Sequence, residues 1–202
     1  MLAQPIDDAS DATRVRSACA DDEAAVSAIL LLAFGANPPT RWLFRDPAQY
    51  VRLYPDFVRA FGGAAFAHGS ADLIDGVAAA LWLPPGVDSD AAALVELMHE
   101  AIEPERRDVT FTLLGELGRH RPETPHWYLP LIGVDPARKL RGHGSTLLRH
   151  ALQRCDRDHM PAYLESSDPR NNPLYERHGF VVQATVQVAD SPPLFPMFRE
   201  AR

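Results

Sequence analysis

Two cysteines, Cys19 and Cys155, are all that the 202 residues contain, and no CxxC pair is formed. A disulfide framework or a zinc ribbon is therefore excluded, and reduced structural thiols are expected. Long apolar runs are also missing. The longest, 24–34, is interrupted by Ser27 and falls far short of the roughly 20 residues a membrane span needs. Residues 1–13 carry acids where a secretory signal would have a basic region and an apolar segment. A cytoplasmic protein with no membrane partner is the expectation. There is no basic excess: 20 Lys+Arg against 27 Asp+Glu leave a net charge of −7. Non-specific nucleic-acid binding draws on clustered cations, so no nucleic-acid partner is expected. The eight histidines show no HExxH spacing, and no metal is expected. Neither GxSxG nor a paired cysteine and histidine signature occurs, which leaves covalent acyl-enzyme chemistry without support.

What remains is 46% hydrophobic and 23% charged, enough for a folded core. One domain over 1–202 is expected, with 1–12 as a flexible leader. Apolar positions Val26, Ile29, Leu30, Ala33 and Phe34 recur with helical spacing behind an Asp21 cap. Gly35, Asn37, Pro38 and Pro39 read as breakers, and a helix resumes near Pro47. Two antiparallel strands are predicted over 64–68 and 72–83, then a helical pair over 89–102 and 105–117. The second half reads strand 126–134, helix 142–157, strand 161–166, helix 172–178, strand 180–188 and strand 195–199. Mixed α/β architecture follows. Trp42, Phe44 and Tyr54 either line an acceptor pocket or belong to the core; periodicity leaves both open.

The chemistry concentrates in residues 127–148. A strand apolar on both faces runs into Asp135-Pro136, then a turn with Lys139, Arg141, Gly142 and Gly144, then a helix. Glycines let consecutive backbone N–H groups and the positive helix end face one phosphate. A nucleotide-triphosphate loop needs Lys after its last glycine, where Ser145 stands. A dinucleotide fingerprint needs a small residue where Leu147 stands.

The run Lys139-Leu-Arg-Gly-His-Gly144 resembles the pyrophosphate-cradling motif of the GCN5-related N-acetyltransferase (GNAT) superfamily. Downstream, Asn172-Pro-Leu-Tyr-Glu-Arg-His-Gly-Phe180 is similar to that superfamily's second motif. Within it, Ala33-Phe34, Pro39-Thr40-Arg41, 77–84 and 161–171 are similar to puromycin N-acetyltransferase-like proteins. The resemblance implies a GNAT fold, an α/β (α+β) arrangement with a central, mixed, mostly antiparallel twisted sheet of about seven strands. That sheet would be flanked by helices and splayed at Leu131 to Val134. It implies acetyl-CoA as co-substrate and a small-molecule amine as acceptor, with direct attack in a ternary complex. A non-catalytic acyl-CoA sensor of the same fold is the alternative.

The resemblance also assigns roles. Tyr175 would protonate the departing thiolate and Glu165 would be the base, directly or through water. Leu131, Ile132, Gly133 and Val134 would supply donors to the oxyanion and pantetheine, and Pro130 fits a bulge there. Lys139, Leu140, Arg141, Gly142, His143, Gly144, Ser145 and Thr146 would hold the pyrophosphate. Asp168, where the family has asparagine, and Asn171 would lie along the cofactor; an acid there must be paired or turned away. The C-terminal strand with Pro192, Pro193 and Pro196 is expected to offer a homodimer edge.

Overall fold

A computed structural model describes residues 14–202; the expected leader lies outside the described residues. Seven strands form one sheet in the order β1 (Arg16–Ser17), β2 (Ala71–Ile74), β3 (Ala78–Leu83), β4 (Trp127–Val134), β5 (Ala162–Ser166), β7 (Phe195–Arg199) and β6 (Val181–Val182). Only β4 and β5 run parallel. The helices α1 (Glu23–Phe34), α2 (Pro38–Leu43), α3 (Pro47–Gly62), α4 (Ala64–Ala67), α5 (Ala91–Ala101) and α6 (Pro104–Gly118) lie between β1 and β4 in the chain. Helix α7 (His143–Arg157) joins β4 to β5, and α8 (Asn172–Arg177) joins β5 to β6. This is the mixed α/β GNAT fold.

Alternation along the strands sorts the side chains into two cores. Leu73, Leu81, Leu83, Leu131 and Tyr163 pack with α1, α3 and α5 on one face. Ile74, Trp82, Leu129, Leu164 and Met197 pack with α7, Tyr175 and Phe180 on the other. A smaller cluster joins Trp42 and Leu113 to Val186 and Leu194. Phe44 and Tyr54 lie in the first core and Trp42 in the third, so all three aromatics left open by the sequence are buried core residues.

Six local expectations are corrected. Pro38 and Pro39 start a helix: Asn37 Oδ1 accepts from Thr40 N at 3.2 Å, and the prolines occupy the first positions, where no N–H is needed. Residues 64–67 form a helical turn behind α3, not a strand. The strand expected over 72–83 is a hairpin folded at Gly76, which has φ +65°. The strand expected over 180–188 shrinks to Val181–Val182 plus one bridge from Val186 to Leu194. Before α1, Asp22 rather than Asp21 accepts the Cys19 amide, at 2.9 Å. Strand β7 pairs with β5 on one side and β6 on the other, so it is interior and not the expected edge.

Candidate active site

Strands β4 and β5 pair only from Trp127↔Ala162 to Leu129↔Leu164 and then part. The register against β3 shows why. Leu81 faces Leu131 but Leu83 faces Tyr128, so β4 carries one extra residue beside Pro130. Proline cannot donate to a ladder and suits such a bulge. Beyond it, Asp135 N donates to Val77 O at 2.8 Å, so by alternation the amides of Gly133 and Leu131 also face β3. The amides of Ile132 and Val134 face the opening. Of the four donors expected from the sequence, those two are turned toward the gap. Gly133 has a packing role instead: a Cβ there would lie 2.6 Å from Ala33 Cβ on α1.

The turn after β4 is built locally. Asp135 Oδ1 accepts from Ala137 N at 2.9 Å and starts a 3-10 turn over Pro136–Arg138. Leu140 is fully exposed at φ +64°, and Gly142, at φ +85°, caps α7. The first bond of the helix end runs from Thr146 N to Gly142 O at 2.9 Å. The amides of His143, Gly144 and Ser145 therefore precede the helical ladder. Lys139, the chain's single lysine, and Arg141 are exposed beside them. A side chain at Gly142 would meet open space, and one at Gly144 would press on Leu174 Cδ2 at 3.4 Å.

Helix α8 docks on this turn. Besides Leu174 against Gly144, Ser145 Oγ and His178 Nε2 are 2.7 Å apart. Burial, with Arg149, Arg177 and Arg199 nearby, lowers the pKa of His178. The Tyr175 ring is buried against Phe180, while its hydroxyl bonds no described residue and is not enclosed. Burial, and then the charge of Asp168, raises the pKa of that hydroxyl. Asp168 is paired: it accepts from Arg170 N and binds the Arg170 guanidinium at 2.6–3.0 Å, which holds its carboxyl below the usual range. Asn171 is exposed. The sequence reading named His143 but gave Asn172 no role: Asn172 Oδ1 and His143 Nδ1 are both buried without a partner among the described residues. It also missed Asn37, whose Nδ2 donates to Ser167 Oγ at 2.8 Å and ties the α1–α2 turn to the end of β5.

Glu165 occupies the first position of β5 beyond its last rung with β4. It shares a face with Tyr163, opposite the face that holds Tyr175, so the two expected catalytic residues lie on different sides of the sheet. Tyr128 Oη donates to Glu165 Oε2 at 2.7 Å. Burial dominates and raises the pKa of Glu165, while the Tyr128 and Tyr163 hydroxyls and the charge of Arg121 act the other way. The tyrosines were not singled out from the sequence, because their closeness depends on the β4–β5 register.

The cation-bearing turn, the two free strand amides and the orphaned polar atoms fit an elongated phosphorylated thiol ester such as acetyl-CoA. Among the described residues no three His, Cys, Asp or Glu side chains group as metal ligands, and no helix is long and apolar enough to cross a membrane.

Comparison with known proteins is consistent with this geometry. Residues 109–180 match the model of the acetyltransferase (GNAT) family. A 77-residue segment is 36% identical to an uncharacterized N-acetyltransferase of Schizosaccharomyces pombe, covering 37% of this chain and 31% of that protein. The chain thus spans about a third of that relative's length. Among solved structures, one described as histone acetyltransferase HPA2 and related acetyltransferase from Corynebacterium glutamicum superposes with a TM-score of 0.67 at 24% identity, over 93% of this chain and 96% of that one. Arylalkylamine N-acetyltransferase 2 from Aedes aegypti gives 0.65 at 13% identity, over 94% and 99%. At these identities the superpositions establish the fold.

Proposed function

We propose that the chain is an acetyl-CoA-dependent N-acetyltransferase acting on the primary amine of a small molecule. The observation that carries this reading is the Tyr175 hydroxyl. The Tyr175 ring is buried, but its hydroxyl bonds no described residue and, unlike the Tyr54 and Tyr163 hydroxyls, is not enclosed, so it stays open to a ligand. Acetyl-CoA, when bound, supplies the activated acetyl group. Lys139, Arg141 and the amides of residues 143–145 would hold its phosphates, and the Ile132 and Val134 amides its extended arm. Glu165 takes the proton from an attacking ammonium; a carboxylate whose pKa is raised toward neutrality suits that task. Tyr175 Oη holds the proton that a leaving sulfur requires, and its raised pKa keeps that proton in place until transfer. Neutralisation of Asp168 by Arg170 removes the charge conflict foreseen for an acid beside an anionic ligand.

An aminonucleoside antibiotic is the first acceptor to try, on the strength of residues 161–171 and the other segments similar to puromycin N-acetyltransferase-like proteins. Arylalkylamines and agmatine come next. The test is thiol release from acetyl-CoA with puromycin, phenethylamine and agmatine, each against a no-acceptor control. Acceptor-dependent release that falls by about 100-fold or more in Tyr175→Phe supports the reading, since general acid catalysis supplies about that factor. Tight acetyl-CoA binding with no turnover on any amine would favour the sensor alternative. Unchanged turnover in Tyr175→Phe would overturn the assigned acid.

A further inference from the structure

A side-chain hydrogen bond ties the first turn of α7 to the end of α8: Ser145 Oγ and His178 Nε2 are 2.7 Å apart. Ser145 is the third residue of α7, and its amide is among those that precede the helical ladder. Its hydroxyl thus stands at the helix end that faces the proposed phosphate. Both residues are half-buried, and His178 Nδ1 bonds no described residue and is not enclosed, so one ring nitrogen is open to water.

A serine hydroxyl has a single hydrogen, and an imidazole nitrogen either donates or accepts, so this bond has two states. In the first, Ser145 donates to a bare Nε2 and can offer a ligand only its lone pair. In the second, Nε2 carries hydrogen and donates to Ser145 Oγ, which frees the hydroxyl hydrogen for a phosphate oxygen. An anion only accepts, and therefore selects the second state.

The charges around the ring set which state holds without a ligand. Arg149 on α7, Arg177 on α8 and Arg199 on β7 act on His178, and with burial they lower its pKa. Arg199 Nε also donates to the His178 carbonyl oxygen at 3.1 Å, while its Nη2 engages Asp156 of α7 at 2.7 Å, so that carboxylate is neutralised. The free ring is therefore neutral at pH 7. A pyrophosphate seated on the turn brings negative charge to the same place and favours the charged ring.

We propose that His178 is a positioning residue for coenzyme A, which donates through Nε2 to Ser145, turns the serine hydroxyl onto the pyrophosphate, and takes up a proton as the ligand binds. The inference rests on the reading of this turn as the coenzyme A site. In the donating state Nδ1 is the bare nitrogen, and the proton enters there from solvent. Only an N–H bond forms, and the imidazolium charge is balanced by the bound phosphates.

Dephospho-coenzyme A is the probe, because its pyrophosphate does not ionise near neutrality and a proton taken up on binding belongs to the protein. Proton NMR of the histidine C2–H signals, with His178 assigned from the peak missing in His178→Gln, gives its titration midpoint with and without saturating probe; His143 is followed by its own signal. The His178 midpoint should rise by about 1 pH unit on binding. Affinity by calorimetry should then tighten by up to about tenfold as pH falls through the two midpoints. His178→Gln retains a donor for Ser145 but cannot titrate, so it should bind at pH 8 as the wild type does and lose this pH dependence. The 15N signal of Nε2 should be that of a nitrogen bearing hydrogen in the complex at pH 8. A bare Nε2 in the complex, or a midpoint unmoved by bound probe, overturns the proposal. A rise of the same size in Ser145→Ala also overturns it, because charge alone would then account for the shift. Wild-type protein that binds neither the probe nor coenzyme A would overturn the coenzyme A reading and this inference with it.

Discussion

Arg154 of α7 closes two hydrogen bonds, 2.9 and 2.6 Å long, on Asp72 of β2, a carboxylate with no solvent exposure. His150 Nε2 stands 3.5 Å from the same carboxylate. The pair locks the helix whose first turn is the proposed anion site onto the sheet that carries the strand opening. A buried ion pair stabilises little relative to apolar residues of the same shape, but removing one partner strands the other.

Arg154→Met should therefore cost about 3–5 kcal/mol. In a domain of this size that lowers Tm by roughly 10 °C. The double variant Asp72→Leu/Arg154→Met should recover most of the loss, since neither charge is left buried. Thermal melts of the two variants check this, and a double variant as unstable as the single one would contradict it.

Gly133 is the point at which α1 touches the opened strand. A methyl group there would sit 2.6 Å from Ala33 Cβ and 3.0 Å from Leu30 Cδ2. Gly133→Ala should cost about 1–3 kcal/mol through overpacking. Because β4 must shift to relieve the contact, acetyl-CoA affinity should fall with stability. Calorimetric titration beside a melt separates the two effects, and affinity unchanged in a destabilised variant would show that the strand did not move.

Sequence patterns gave α7 and β7 almost to the residue, because amphipathic spacing in one and flanking prolines in the other are local signals. They failed at Pro38-Pro39, where residues that end one helix begin the next, and at Gly76, where one apolar run folds back on itself. The candidate site divides the same way. The turn proposed to bind the anion is a single loop, so its residues from Lys139 to Gly144 could be read as one local pattern. The surroundings of Glu165 come from residues near 126 and 163 brought together by a parallel register that no local pattern carries.

Two positions in the anion turn have left-handed backbones, and only one is glycine. Leu140 adopts φ +64° with its side chain in solvent, whereas Gly142 adopts φ +85°. A side chain in this region costs roughly 1–2 kcal/mol. Leu140→Gly should leave Tm unchanged or slightly higher, the relief of strain offsetting the added freedom of the unfolded chain. Gly142→Ala should lower Tm and weaken acetyl-CoA binding, although its Cβ would meet nothing within 4 Å. The Lys139 amine gives a direct reading of binding. Reductive 13C-methylation labels only it and the chain terminus, and its NMR signal should shift on titration with coenzyme A in the wild type and less in Gly142→Ala.

The pH dependence of stability separates Glu165 from the histidines, because their shifts have opposite signs. Glu165 has its pKa raised from 4.5, so the folded chain holds that proton more tightly than the unfolded one. Its contribution is fully present below about 4.5 and is lost as pH rises through the raised value. His126 and His178 have pKa values lowered from 6.5, so their contribution is present above that value and is lost as pH falls through the lowered ones. Between pH 4.5 and 6.5 the terms oppose each other. Glu165→Gln removes one of them, so its Tm should climb more steeply than the wild type's across this range and stand above it at pH 8. The same variant should lose about 100-fold in kcat, the factor a general base supplies. A gain in stability paired with a loss in turnover marks a carboxylate held in an unfavourable place for its chemistry. Melts across pH for both proteins decide it: parallel curves would mean that Glu165 ionises as freely in the folded chain as in the unfolded one.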